Sequence, residues 1–435
     1  MLPDPATTTP RPPTRAQRWR RRWFWLPLLL LVYLPVGSNP GWYNQDELQL
    51  LHDLQTWSWR MCVPAIDHGH DLFYRPFGFA AFALQLQLSD GVAQVAHLLS
   101  VLHHLANALL FAWVLRRLGR SPWPALWLLV LPTAVPAVAW VAAVYDRLLL
   151  TVLLLAAGCL VRAKPAAALA AVALFVVALG TKETAVVFPA VALLLVWRGT
   201  AAGRAAAWTM LALAFAFVSW RLLAGAHDPT YQYRLDAGAL RTLLCHAAFP
   251  FALDSDDPGH CWGLSWLGLL PLVLLLALAS RRQPRQLAIA LLLALLPMLP
   301  VFALARPEGH TLLLSTVALA LVLDLAITAP GPGWTSVLGW LLAGLLLAHT
   351  VVIGCSYRSD GVVMRNLQAA HRTLAPAPSA GRILVDAAAR GWVVERFALF
   401  TRTADLRPRL WSRDGQDGLP VLLHLRSDGS AAAVR

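Results

Sequence analysis

The sequence predicts an all-α polytopic membrane protein, and three observations carry that prediction. Hydrophobic residues make up 58% of the 435 positions and charged residues only 14%, giving a mean hydropathy of +0.58. The apolar residues fall in long blocks, and a helix needs about 20 of them to cross the hydrocarbon core of a bilayer. Basic clusters follow alternate blocks, as they do when positive loops stay in the cytoplasm. Barrel-type alternation is absent. Much of the net charge of +13 sits in those short loops, so it speaks for membrane orientation and not for nucleic acid.

In chain order, residues 1–22 form a cytoplasmic tail, Pro- and Thr-rich and then basic (Arg15, Arg18, Arg20, Arg21, Arg22). Phe24 to Val36 is the first helix, uncleaved because no A-x-A-like site follows it. A long loop then runs from about Pro40 to Gln94. Within it, Leu48 to Trp59 reads as an interfacial amphipathic helix, and Phe77 to Leu88 is apolar but short for a span.

Further spans are expected at about 95–115, 123–140, 148–161, 166–180, 184–197 and 205–223. After a second long loop at about 224–263, four more follow: one ending near Ser280, then about 287–305, 311–327 and 336–354. The basic ends Arg116-Arg117, Arg162-Lys164, Arg198-Arg204 and Arg281-Arg282-Arg285 all fall on the N-terminal side, which supports a count of about eleven. Residues 23–355 then form one transmembrane domain. Residues 356–435 form a small extracytoplasmic α/β region, with a helix along the membrane at Asp360–Thr373 and short strands at 383–385 and 421–423.

Ionisable residues near spans are costly and mark functional sites. Four groups fall at the predicted outer ends: Asp46 and Glu47 with Arg75; Asp146 and Arg147; Lys182 and Glu183; and Arg306, Glu308 and His310. On one face they can line a shared cavity. His97, His104 and Asn107 share one helix face, where a stripe of interhelical hydrogen bonds is favoured over a ligand role. Asp67-His68-Gly69-His70-Asp71 is weak as a metal set, because adjacent exposed residues rarely enclose an ion; no metal or other cofactor is expected. None of the five cysteines has C-x-x-C spacing. Cys245 and Cys261 both lie in the second outer loop, where an oxidising compartment favours a disulfide between them.

At these residues the chain resembles the polytopic glycosyltransferases that use polyprenyl-phosphate sugars, the superfamily of protein O-mannosyltransferases and aminoarabinose transferases. Within it the chain is most similar to bacterial relatives of the transmembrane O-mannosyltransferases that carry tetratricopeptide repeats, here without the repeats. The likeness rests on Asp46-Glu47, Tyr74-Arg75-Pro76, the run His97, Ser100, His104, Asn107, then Trp140-Val141 with Asp146 and Leu148-Leu149. It continues in Thr181-Lys182-Glu183 with Pro189, and in the patch from Glu308 to Ser315. The family's Glu in the third helix falls at Pro136, and the Arg two before its Asp falls at Val144.

The resemblance implies a bacterial-type inner-membrane enzyme with a periplasmic active site. It moves a sugar from a polyprenyl-phosphate donor to a hydroxyl of a protein, glycan or lipid. An acceptor hydroxyl is a poor nucleophile, so a carboxylate must take its proton; Asp46 is the first candidate and Glu47 the second. Arg75, Lys182, Arg306 and Arg147 are candidates to hold the lipid phosphate as its charge develops. Asp146, Glu183, His104, Asn107, Glu308 and His310 support them. Two other readings stay open: a non-enzymatic lipid-carrier flippase or transporter, and a degenerate relative that binds lipid-linked sugar without turnover.

Overall fold

A computed structural model describes residues 25–42, 74–162, 164–223, 236–252, 263–302, 309–328 and 333–374, together with four short strands near the C-terminus. The α-helices are α1 (Trp25–Gly37), α2 (Pro76–Leu88), α3 (Ala93–Arg117), α4 (Pro124–Val130), α5 (Val135–Ala139), α6 (Val144–Leu160) and α7 (Pro165–Leu179). They continue as α8 (Phe188–Val196), α9 (Ala201–Leu223), α10 (Ala237–Ala248), α11 (Leu269–Arg282), α12 (Pro284–Phe302), α13 (Leu313–Thr328) and α14 (Gly333–Leu374). Proline opens α2, α4, α7 and α12, where its missing N–H costs nothing. Among the described residues, the segments Ala93–Arg117, Val141–Leu160, Ala201–Leu223 and Trp334–Ala369 are long and apolar enough to cross a membrane, and six further apolar helices are shorter. The chain is an integral membrane protein on this ground.

The core centres on α6. Leu149, Leu150, Leu153, Leu154, Ala156 and Ala157 are all buried, and α2, α3, α7 and α8 pack around them. Gly158 permits the closest approach to α3: a Cβ there would sit 1.8 Å from the Trp113 ring. By contrast α9 leaves Trp208, Phe215, Leu222 and Leu223 exposed, a face suited to lipid.

Three elements differ from those the sequence predicts. The segment expected to span from 123 to 140 is not one helix. It is α4, a 3₁₀ turn at Pro132–Ala134, α5, and a second 3₁₀ turn at Val141–Ala143. Pro132 and Pro136 cause the break, since neither can donate to the preceding turn. Irregular backbone at membrane depth survives only where protein satisfies it, and here side chains do so. His104 Nε2 donates to Leu128 O at 3.2 Å, the carbonyl whose helical partner would have been the N–H of Pro132. Thr350 Oγ1 donates to Val130 O at 2.7 Å, and Thr316 and Thr133 pair their hydroxyls at 2.8 Å.

The last span and the expected membrane-surface helix are likewise one element. α14 has 42 residues, about 63 Å at 1.5 Å per residue, twice what a bilayer core takes. Its far half carries the tail, where β1 (Arg382–Val385), β2 (Trp411–Ser412), β3 (Val421–Leu425) and β4 (Ala431–Ala433) form a sheet in the order β2-β1-β3-β4. β1 runs parallel to both β2 and β3, β4 is antiparallel to β3, and β3 and β4 lie against α14. The two strands expected from the sequence are β1 and β3. α10 occupies the second long loop, where no helix was expected; Asp236 caps it, its carboxylate accepting from the Gly238 and Ala239 amides at 2.8 and 3.3 Å.

Candidate functional site

The site forms where three helix ends meet. Arg75 immediately precedes α2, Asp146 lies in the first turn of α6, and Lys182-Glu183 follows the end of α7. The junction of α2 and α7 is fixed by backbone: Phe77 N donates to Gly180 O at 3.0 Å. Gly180 is needed at that crossing, since a Cβ would fall 2.7 Å from the Phe77 ring. Gly78 makes similar room for Tyr145, whose Cδ1 would lie 2.0 Å from an added Cβ.

These junctions join charges that the sequence had grouped differently. Lys182 Nζ donates to both carboxylate oxygens of Asp146, at 2.7 and 2.8 Å. Both side chains are only 4% exposed. Arg75 grips Glu183 with two donors, Nε to Oε2 at 2.9 Å and Nη2 to Oε1. This second pair is shallower: Arg75 is 13% exposed and Glu183 is 42% exposed. Burial alone would lower the pKa of Arg75, but the Glu183 carboxylate more than offsets this and holds it above its ordinary value. The guanidinium also stands over the Tyr145 ring, 5.5 Å from its centroid, and Tyr74 meets Trp220 edge-on at 5.2 Å. An inner ion pair thus lies sealed beneath an outer one that opens to solvent.

Arg147 follows Asp146 in sequence but serves a different region. Fully buried, it donates from Nη1 to Ala137 O and to Trp140 O (3.1 Å), and from Nη2 to Val141 O (3.0 Å) and Gln85 Oε1 (3.2 Å). Its fork is committed to the carbonyls of the broken helix, so it stands apart from the Arg75–Lys182 group. Asn107 bridges α3 and α6: Nδ2 donates to Arg147 O at 2.9 Å, and Oδ1 accepts from Thr151 Oγ1 at 2.5 Å. His97 Nε2 donates to Gly41 O at 2.9 Å. Asn107 and His104 thus make interhelical hydrogen bonds of the expected kind, whereas His97 reaches the loop after α1.

His310 lies in the 3₁₀ turn Gly309–Leu312, which packs against α5. Asp46, Glu47, Arg306 and Glu308 lie outside the described residues, as does the Asp67–Asp71 run. Cys245 is a free, buried thiol packed near Trp266 and Leu269, and its expected disulfide partner Cys261 is outside the described residues. Among the described residues no group of three or more His, Cys, Asp or Glu side chains could hold a metal ion.

Three participants escape a reading of the sequence. Gln85 links Arg147 to α3, donating from Nε2 to Ala96 O and Ser100 Oγ, both at 2.8 Å. Its signal is an amide, one of two with Gln87, in an otherwise apolar stretch. Tyr145, under Arg75, carries no signal beyond its place beside Asp146. Asn39 ties the start of the first loop to α14, donating to Tyr357 O at 3.1 Å and accepting from Gly41 N at 3.1 Å. The turn run Gly37-Ser38-Asn39-Pro40-Gly41 marks the end of a helix in the sequence but gives no sign of this anchor.

No protein-family model matches the chain, and no curated protein does. Solved structures similar to it include ArnT from Cupriavidus metallidurans bound to undecaprenyl phosphate, and ArnT from the same organism in the apo state. Each is 13% identical with a TM-score of 0.49, covering 92% of this chain and 87% of that one.

Proposed function

We propose that the protein is a membrane glycosyltransferase that moves a sugar from a polyprenyl-phosphate carrier to an acceptor hydroxyl. The observation that carries this reading is the gathering of Arg75, Lys182, Asp146 and Glu183, drawn from three separate helix ends, at one end of the apolar bundle. A guanidinium held at the opening, with a second cation buried beneath it, suits a phosphate that gains charge as it leaves. The order of motifs from Asp46 to Ser315 supports the same class.

In the proposed reaction the acceptor oxygen attacks the anomeric carbon as the bond to the phosphate oxygen breaks. Asp46 takes the acceptor proton, with Glu47 beside it, and the lipid leaves as polyprenyl phosphate. A single displacement inverts the anomeric centre. Arg75 holds the phosphate, the sealed Lys182–Asp146 pair fixes the floor of the site, and Arg306 is a further candidate cation for it. The site faces the extracytoplasmic side, where the donor is presented.

Lipid mass spectrometry tests this whatever the sugar is. Cells lacking the protein accumulate its polyprenyl-phosphate sugar. The wild type clears that lipid, whereas Asp46→Asn, unable to accept the proton, clears it about 10²–10⁴-fold more slowly. Equal clearance by Asp46→Asn removes it as the base and moves that role to Glu47. An unchanged lipid pool in the deletion overturns the reading.

A further inference from the structure

We propose that Glu183 is a built-in competitor for the donor's phosphate, occupying the Arg75 fork until a phosphate monoester displaces it. This rests on the functional reading above. The geometry separates the two ion pairs by what each can release. Lys182 and Asp146 are both 4% exposed, so parting them leaves two charges buried. Glu183 is 42% exposed and can turn into solvent when it lets go of Arg75. The outer pair is therefore the one that exchanges.

Charge supplies the direction. The four side chains together are neutral, so their own charges sum to no net attraction for an anion. A phosphate monoester carries about 1.5–2 negative charges at neutral pH against one on a carboxylate. It also matches the same two-donor guanidinium fork that Glu183 now fills. Phosphate therefore wins the fork, but it must first displace Glu183, which weakens its net affinity. A phosphodiester, with about one charge and fewer free oxygens, gains less from the exchange. The device thus favours the leaving lipid phosphate over the intact donor, stabilising charge that appears during transfer.

The test measures binding of undecaprenyl phosphate, undecaprenol and inorganic phosphate to the purified full chain in detergent, with thermal unfolding as the check on folding. Glu183→Gln binds undecaprenyl phosphate about five- to tenfold tighter than the wild type, while undecaprenol binding is unchanged. Glu183→Ala, a second route to the same loss of charge, behaves likewise, and Glu183→Asp, which keeps the charge, does not tighten. Inorganic phosphate shows the same ranking at lower affinity if the headgroup alone drives exchange; a ranking confined to the lipid places the effect on the tethered headgroup, and either supports the competition. Binding that falls in Arg75→Gln but is unchanged or weakened in both Glu183→Gln and Glu183→Ala overturns the inference and leaves the functional reading standing. No phosphate-dependent binding by any form overturns both.

Discussion

Arg147 shows how a charge in an apolar bundle can be structural. It commits its fork to the carbonyls of Ala137, Trp140 and Val141 and to Gln85. Arg147→Met leaves those acceptors without donors in a site that water does not reach, and should cost roughly 3–5 kcal/mol. Arg147→Lys should recover little, because an ammonium cannot serve several carbonyls spread along a planar fork. Thermal unfolding in detergent checks both variants; a Lys variant as stable as the wild type would show that charge alone is required. The sequence marks Arg147 as ionisable and near a span but cannot say whether its partner is a phosphate or a carbonyl. That distinction depends on a backbone break ten residues upstream. For Lys182 and Glu183 the types and position were legible, while the exchange of partners was not. Lys182 pairs with Asp146, 36 residues away, and Arg75 with Glu183, 108 residues away. The packing of α6 against α7 sets the first pair, and that of α2 against the end of α7 sets the second.

Helical elements were legible where hydropathy alone determines them, and α3, α6, α7, α9, α12 and α13 lie within a few residues of the expected spans. The broken segment was not, because an apolar window from 123 to 140 averages over Pro132 and Pro136 and is blind to the hydrogen bonds they remove. The crossing of the first loop over α14 was equally hidden. Gly41 passes so close that a Cβ would lie 1.9 Å from the Gly361 carbonyl oxygen and 3.0 Å from Arg365 N. Both neighbours are backbone, so no rotamer change relieves the clash. Gly41→Ala should therefore destabilise by about 1–3 kcal/mol. It should also disturb the anchor formed by Asn39 and His97 just before Asp46. Gly344→Ala is the control within α14: nothing lies within 4 Å of its Cβ, so the change should stabilise the helix by about 0.5–1 kcal/mol. Paired melting curves separate the two; equal effects would mean that the crossing can relax.

At the scale of the whole molecule, the two ends of the bundle differ in charge. Arg117 and Arg162 both stand over the Trp113 ring, at 5.5 and 5.6 Å, which brings the basic ends of α3 and α6 together. The Arg75–Glu183 and Lys182–Asp146 pairs gather at the opposite end of α6. This relative placement was legible because basic clusters recur after alternate apolar blocks. The 42-residue reach of α14 was not: Ser356, Arg358 and Asp360 read as a chain leaving the bilayer. Polar residues end a span without ending a helix. The positive-inside rule puts the Arg117–Arg162 end in the cytoplasm and the paired charges outside. Cysteine labelling tests that orientation. In a background with all five cysteines replaced by serine, Asp90→Cys in the turn between α2 and α3 should react with an impermeant maleimide on intact cells. Ser121→Cys, exposed just before α4, should react only after permeabilisation. The reverse pattern would invert the bundle and place Arg75 and Glu183 on the cytoplasmic face. An extracytoplasmic donor could not reach them there, and the transfer proposed for this site would have to draw its lipid-linked sugar from the inner leaflet.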